Sequence, residues 1–342
     1  MNIKIPEKNK KAGVCYAVAD DGIELPVIDI THPAFAFDMS EAELSALIDQ
    51  MVLSVQRATQ TPAAVMQALA QQSILLRGMA ESAGTYTTGM MTYLHKLGPD
   101  NLGEGYASPL DRQWAASLTP VTFRWRMRDV ARLLADGLAP ALAARPDGPV
   151  HLLNIGGGPA PDSLNALILL HKEQPGRLAG RQIAIHVLDL DQEGPHFGGR
   201  ALAALIEDGP LHGLAVTFEH VPYDWADPTV LREVMDRIAL REAVAVGSSE
   251  GGLFEFASDE EIVANLQALR EGTPADFVMV GPVVRDASTL DPRLKQMEHV
   301  PGRPAIRFIG LEAFGRLVRS AGWLIERSLD GPMHQVVSLK KA

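Results

Sequence analysis

Cysteine is nearly missing from this chain: Cys15 stands alone among 342 residues. That excludes an internal disulfide framework and a cysteine-built zinc site, and it fits a reducing cytoplasm. Positive charge is in deficit, with 31 Lys and Arg against 42 Asp and Glu and a net charge of -11, which argues against non-specific binding to nucleic acid or anionic lipid. No apolar run is long enough to span a bilayer. The basic segment 1–13 lacks the roughly 7–15-residue apolar core of a signal peptide. The ten histidines show no metal-ligand spacing, and no Ser–His–Asp signature is present. Against these absences, 46% of residues are hydrophobic and 21% charged, ordinary for a globular chain with a real core. At roughly 150 residues per domain, the length predicts two units or one large decorated one. The expectation is a cytoplasmic enzyme acting on small molecules, with no metal, no nucleic acid and no membrane; a homodimer is left open.

Residues 14–18 and 23–30 flank Asp20-Asp21-Gly22 and read as a hairpin. Helical patterns follow. Ser40 and Glu43 form a capping box ahead of residues 44–55, Pro62 opens a helix running toward 79, and further helices are predicted over 86–97 and 122–138. The run 145–149, Arg-Pro-Asp-Gly-Pro, has linker chemistry. Beyond it the texture changes. Strands at 150–155, 183–188, 215–221, 243–247 and 276–280 alternate with helices at 162–173, 198–206, 228–240 and 258–269. This rhythm predicts a doubly wound, mainly parallel α/β sheet. A helix over 311–321 and two strands, 324–328 and 335–339, predict a terminal antiparallel hairpin. The expected division is a helical N-terminal cap, 1–145, and an α/β catalytic unit, 146–342.

The strongest local signal is Asn154-Ile-Gly156-Gly157-Gly158-Pro159-Ala-Pro-Asp-Ser163, set between a strand and a helix. Glycines there let the backbone approach a ligand, and the helix N-terminus favours polar or anionic groups; a tight turn with no ligand is the plainer alternative. The second strand ends Asp189-Leu190-Asp191. A carboxylate at that position can accept both hydroxyls of a ribose, whereas a helix-capping role suits Asp191 better than Asp189. After the third strand comes Tyr223-Asp224-Trp225, an acid beside aromatics that could meet an adenine, or merely cap the helix at 228.

Together these three segments resemble the class I S-adenosylmethionine (SAM)-dependent methyltransferase fold over about residues 147–342, terminal hairpin included. The resemblance implies that Gly156, Gly157, Gly158 and Pro159 lie by the methionine part of SAM. It implies that Asp189, with Leu190 beside it, holds the ribose, and that Asp224 and Trp225 contact adenine. Ser248, Ser249 and Glu250 then face the methionine part and the acceptor. Two departures stand out. Asn154 occupies a usually acidic position, and Gly158-Pro159-x-Pro161-x-Ser163 resembles the glycine motif of nicotianamine synthases, which move the aminocarboxypropyl arm of SAM. The run 25–35, Leu-Pro-Val-Ile-Asp-Ile-Thr-His-Pro-Ala-Phe, is similar to azetidine-2-carboxylate synthases.

Which carbon of a sulfonium reacts depends on what lies in line with the breaking C–S bond. A folded methionine arm would bring its own amine behind the γ-carbon, giving azetidine-2-carboxylate and methylthioadenosine. The amine must be neutral, and Asn154 in place of an acid is consistent with that. Tyr16, Tyr106, Trp125 and Tyr223 are candidates to face the sulfonium; core packing is the alternative for each. One of Arg124, Arg126 and Arg128 could clamp the substrate carboxylate, Arg126 being carried forward, though 124 and 128 share a helix face that 126 does not. The expectation taken forward is SAM cyclisation with Asn154, Tyr106 and Ser249 as catalytic residues. The alternatives are methyl transfer to a small secondary-metabolite-type acceptor and a non-catalytic SAM-binding protein. The insert 285–307 is left open as lid, acceptor wall or dimer contact.

Overall fold

A computed structural model of the chain describes residues 4–82, 86–103, 106, 108–295 and 306–342. The predicted hairpin forms from β1 (Tyr16–Val18) and β2 (Glu24–Pro26), paired antiparallel, with Gly22 at φ 83° closing the turn. Five helices follow: α1 (Glu41–Gln60), α2 (Ala63–Ala70), α3 (Ile74–Glu81), α4 (Gly89–Leu97) and α5 (Pro109–Ala115). The Ser40–Glu43 capping box starts α1 as expected. The helix opened at Pro62 does not run through to 79. Ser73 caps a new helix by accepting the Leu76 N–H at 3.0 Å, so the chain turns there. Helix α5 went unpredicted although Ser108-Pro-Leu-Asp111 is itself a capping box with proline in the first turn.

Helix α6 (Leu118–Ala144) runs 27 residues, well past the 122–138 expected. Gly137 and Pro140 read as breakers in sequence. In the fold, a Cβ on Gly137 would come within 3.2 Å of Val278 Cβ, so glycine there permits close packing on the sheet, and packing overrides propensity. Although it precedes the 145–149 turn, α6 is not a detached cap. It lies on the sheet face beside α7 (Pro161–Glu173), sharing one core with the strands through Leu133, Leu134, Leu138, Leu164, Leu167 and Val246.

The remaining elements are β3 (Val150–Ile155), β4 (Gln182–Leu188), α8 (Glu193–Glu207), β5 (Ala215–Val221), α9 (Thr229–Arg237), β6 (Val244–Ser248), α10 (Leu253–Phe256), α11 (Asp259–Gly272), β7 (Val278–Val284), α12 (Gly310–Ser320), β8 (Trp323–Asp330) and β9 (His334–Lys341). Seven of these strands form one sheet in the order β5-β4-β3-β6-β7-β9-β8. The first five are parallel and the terminal hairpin is antiparallel, β9 entering between β7 and β8. This is the class I methyltransferase-like architecture. Alternate residues of β3 serve opposite faces. Val150 and Leu152 join the core under α6, α7 and α8, while Leu153 and Ile155 join the core under α9, α11 and α12. Strand order reverses at β3, between β4 and β6, and the carboxyl ends of β3 and β6 are where open α/β sheets place a ligand crevice. No described helix is long and apolar enough to cross a membrane.

Candidate active site

At that edge of the sheet, the end of β3 is clasped to the start of α7. Asn154 is fully buried and its Nδ2 donates to Asp162 Oδ1 at 2.9 Å and to Ser163 Oγ at 3.0 Å. Ser248, ending β6, donates to the other Asp162 oxygen at 2.6 Å. Burial and the nearby Glu250 push the Asp162 carboxyl above the usual carboxylate range. The Asp and Ser of the motif therefore tie two parallel strands to one helix. Asn154 Oδ1 is buried and has no hydrogen-bond partner among the described residues. Gly157 must be glycine because a Cβ there would overlap that same Oδ1.

Gly156 and Gly158 have φ of 65° and 54°, backbone that L side chains rarely adopt. The close approach they permit is used by the chain itself. A Cβ on Gly156 would lie 3.0 Å from the Trp225 ring, and one on Gly158 would lie 2.6 Å from the Gly89 Cα at the start of α4. A Cβ on Gly194, opening α8, would meet Gly158 Cα at 2.9 Å, and Pro159 lies against both Gly89 and Gly194. Three glycine backbones thus meet at the turn.

The two aspartates after β4 divide the work. Asp191 accepts N–H groups from Glu193 at 3.2 Å and Gly194 at 3.4 Å, opening α8, and from Gly89 at 3.1 Å. That is the capping role expected of it, and it starts α8 five residues ahead of the position read from sequence. Asp189 accepts from Gly158 N at 2.8 Å and Asp191 N at 2.9 Å; burial raises its carboxyl despite these bonds. Two backbone donors leave a carboxylate with lone pairs to spare, so a diol could still be held. Leu190 is 66% exposed beside it. Asp224 is exposed and its side chain accepts from Ala226 N at 3.0 Å, its one hydrogen bond among the described residues, while Asp227 accepts from Thr229 N and Oγ1 at the start of α9. Trp225 packs edge-on with Tyr86, 5.6 Å between ring centroids, and Tyr86 in turn with Phe256. Asp189 and Trp225 thus touch the glycine turn directly, with the exposed Leu190 and Asp224 next to them in the chain.

Several sequence candidates stand elsewhere. The Tyr106 hydroxyl donates to Asp21 in the hairpin turn and is not joined to the β3–β6 network. Ser249 donates to Ile155 O at 2.7 Å and accepts from Leu253 N at 2.9 Å, a strand tie and helix start. Of the four aromatics considered for the sulfonium, Tyr16 holds Lys11 N, Trp125 packs on Phe37 and Tyr223 donates to Asn265; with Tyr106 on Asp21, the aromatic at the turn is instead Trp225. Arg126 is 4% exposed and its guanidinium is matched by chain carboxylates, Glu250 at 2.6 Å and Glu255 at 2.9 Å, so it is not free to clamp a substrate. Lys96 of α4 pairs with the other Glu250 oxygen and His334 lies 2.9 Å from Glu255. Burial would raise the Glu255 carboxyl, but Arg126 and His334 hold it at about 2.

This buried ionic cluster was missed from sequence. Its members are separated by up to 238 positions along the chain, 96 to 334, and only α4 and α6 closing on β6 brings them together. Of the insert 285–307, residues 296–305 lie outside the described residues. Its flanks are anchored, Arg293 to Asp49 of α1 and Arg307 to Asp259 of α11.

No family model matches the sequence and no curated protein does. Solved structures are similar to this chain over part or most of its length. A protein described as a possible exported protein from Bordetella parapertussis is 18% identical with a TM-score of 0.51, covering 89% of this chain and 99% of its own. LepI in complex with SAM is 15% identical, TM-score 0.37, covering 61% of this chain and 46% of its own. The Burkholderia thailandensis 1,6-didemethyltoxoflavin-N1-methyltransferase, solved with its substrate and S-adenosylhomocysteine, is 15% identical, TM-score 0.39, covering 63% and 78%. The chain spans about half the length of LepI and of the neocarzinostatin O-methyltransferase NcsB1, 46% and 49% respectively. At 18% identity the likeness to the Bordetella protein is one of fold alone.

Proposed function

We propose that this chain is a SAM-dependent methyltransferase acting on a small molecule. The observation that carries the reading is the glycine turn at the strand-order reversal, bonded by Asp189 and packed by Trp225, with the exposed Leu190 and Asp224 beside them in sequence. In this reading Asp189 holds the ribose hydroxyls, Asp224 the adenine amino group, and Leu190 and Trp225 the faces of its ring. SAM supplies a methyl group already activated by the sulfonium. The protein's part is to orient the acceptor in line with the breaking bond and to keep water out. Segment 86–89 and helix α4, resting on the turn through Tyr86 and Gly89, serve the second purpose.

Cyclisation of SAM to azetidine-2-carboxylate keeps one observation in its favour: the buried neutral amide of Asn154, with an unpaired Oδ1, offers no carboxylate to hold the substrate amine as an ammonium. The separate cationic cavity described below favours a second substrate instead. Mass spectrometry after incubation with SAM, alone and with phenol, N-heterocycle and carboxylate acceptors, tests the choice. S-adenosylhomocysteine is expected only when an acceptor is present. Methylthioadenosine from SAM alone would reverse the order of the two readings, and calorimetry showing no SAM binding would remove both.

A further inference from the structure

Arg124 and Arg128 share the face of α6 opposite to Arg126, and this face borders a cavity of about 350 Å³, within the range of roughly 300–1,000 Å³ typical of small-molecule sites. Its walls are apolar where they meet Ile28, Ile30, Phe35, Leu97 and Met127, and cationic at Lys96, Arg124 and Arg128. One acidic residue, Asp100, lies on the lining, and it is solvent-exposed. Two of the three cations are already matched. Lys96 pairs with Glu250, and Arg128 lies 3.0 Å from Asp129. Arg124 has no carboxylate partner among the described residues. Its Nη1 donates to the carbonyls of Ala115 at 2.9 Å and His95 at 3.4 Å, and Phe37 lies under its plane at 5.6 Å. Burial alone draws its guanidinium down to about 10, the mark of a cation losing hydration without a counter-charge. An anion in the cavity would restore that charge balance, and the fork of a guanidinium matches a carboxylate at two points.

We propose that this cavity binds a small organic carboxylate with an apolar body, its carboxylate held by the Arg124 guanidinium. Lys96, which lines the cavity, sends its ammonium to Glu250, two residues beyond β6. On the methyltransferase reading, on which this role rests, the acid is the methyl acceptor where its body carries a hydroxyl or amine, whose oxygen or nitrogen forms the new bond to the methyl as the methyl–sulfur bond breaks and whose proton goes to solvent; the binding itself does not rest on that reading.

Calorimetry without SAM tests the site, using benzoate, 3-phenylpropanoate and the neutral 3-phenylpropanamide on the full chain. The acids are expected to bind, with the amide at least tenfold weaker (on the order of a lost charge-assisted pair). Arg124→Met should bring the acid down to the level of the amide, and Arg124→Lys should retain part of the difference. No heat from either acid, equal affinity for acid and amide, or unchanged acid binding in a folded Arg124→Met variant overturns the proposal. Should Arg124→Met fail to fold, the acid–amide comparison on the native chain decides. SAM binding is measured separately: acid binding without it keeps the site and removes only the acceptor role.

Discussion

A methyl group added at Gly157 would overlap the Asn154 Oδ1, and the Asn154 amide can yield only by releasing Asp162 or Ser163. Gly157→Ala is therefore expected to lose about 2 kcal/mol, the scale of overpacking in a dense core. The loss should shrink in the Asn154→Ala background, since the conflict is between those two side chains; chemical denaturation of the single and double variants measures both. Asp224 offers the complementary test. It is exposed and makes one local turn bond, so Asp224→Ala should leave stability within about 0.5 kcal/mol. If it reaches adenine, SAM affinity should fall by about 1 kcal/mol, a single hydrogen bond. Unchanged affinity by calorimetry would dissociate Asp224 from the nucleoside. Asp189→Ala should cost about 1.5–3 kcal/mol of SAM affinity, but it also strips the Gly158 N–H, so its effect on stability is read alongside.

Helices α4 and α6 are held to the sheet by charge as well as by apolar contact. Arg126 faces two carboxylates and Lys96 one, all nearly inaccessible to water. Removing one side of such a set leaves buried charge uncompensated, at about 3–5 kcal/mol. Arg126→Met, which takes a partner from both Glu250 and Glu255 and leaves them Lys96 and His334 alone, should be the most damaging single change in the cluster. Lys96→Met should cost less, because Arg126 still answers Glu250. Denaturant midpoints that rank Lys96→Met at or above Arg126→Met would contradict this arrangement. The Gly89–Gly158 contact plays the same part at the other end of α4: the backbones touch because neither carries a side chain.

Across the whole molecule, a line of polar side chains crosses three strands on the α9 face. His151 stacks on His186 with Nδ1 to Nε2 at 2.9 Å, His186 meets Glu219 at 2.8 Å, and Glu219 meets Arg237 of α9 at 2.7 Å. Burial, with His186 beside it, draws the His151 imidazole down to about 4, and burial draws His186 down against the pull of Glu219. Both folded values lie below the unfolded value of 6.5, so the unfolded chain takes up protons first as pH falls. Stability is full above that value and is lost progressively from there toward pH 4. Glu255, held at about 2 against an ordinary 4.5, extends the loss at lower pH. Calorimetric scans should show Tm falling between pH 7 and 5, and His151→Asn should flatten that part of the profile.

Periodicity and turn chemistry alone located the strands, the hairpins and most helices of the α/β unit, because each is buried on a regular face and bounded by residues with a fixed conformational role. Asp191 as a helix cap and the glycine turn after β3 were legible for the same reason: their determinants are neighbours in sequence. Boundaries slipped where packing outweighed local preference, at Gly137 and Pro140 in α6 and at Gly194 and Gly198 in α8. What only the tertiary structure decided is which charges meet. Arg124, Arg126 and Arg128 are equivalent as letters, yet a rotation of about 200° between alternate helix residues turns Arg126 into a cluster of carboxylates and leaves Arg124 facing a cavity without one. Charge is written into the sequence residue by residue, but counter-charge is a property of distance, and distance is set only when the chain closes on itself.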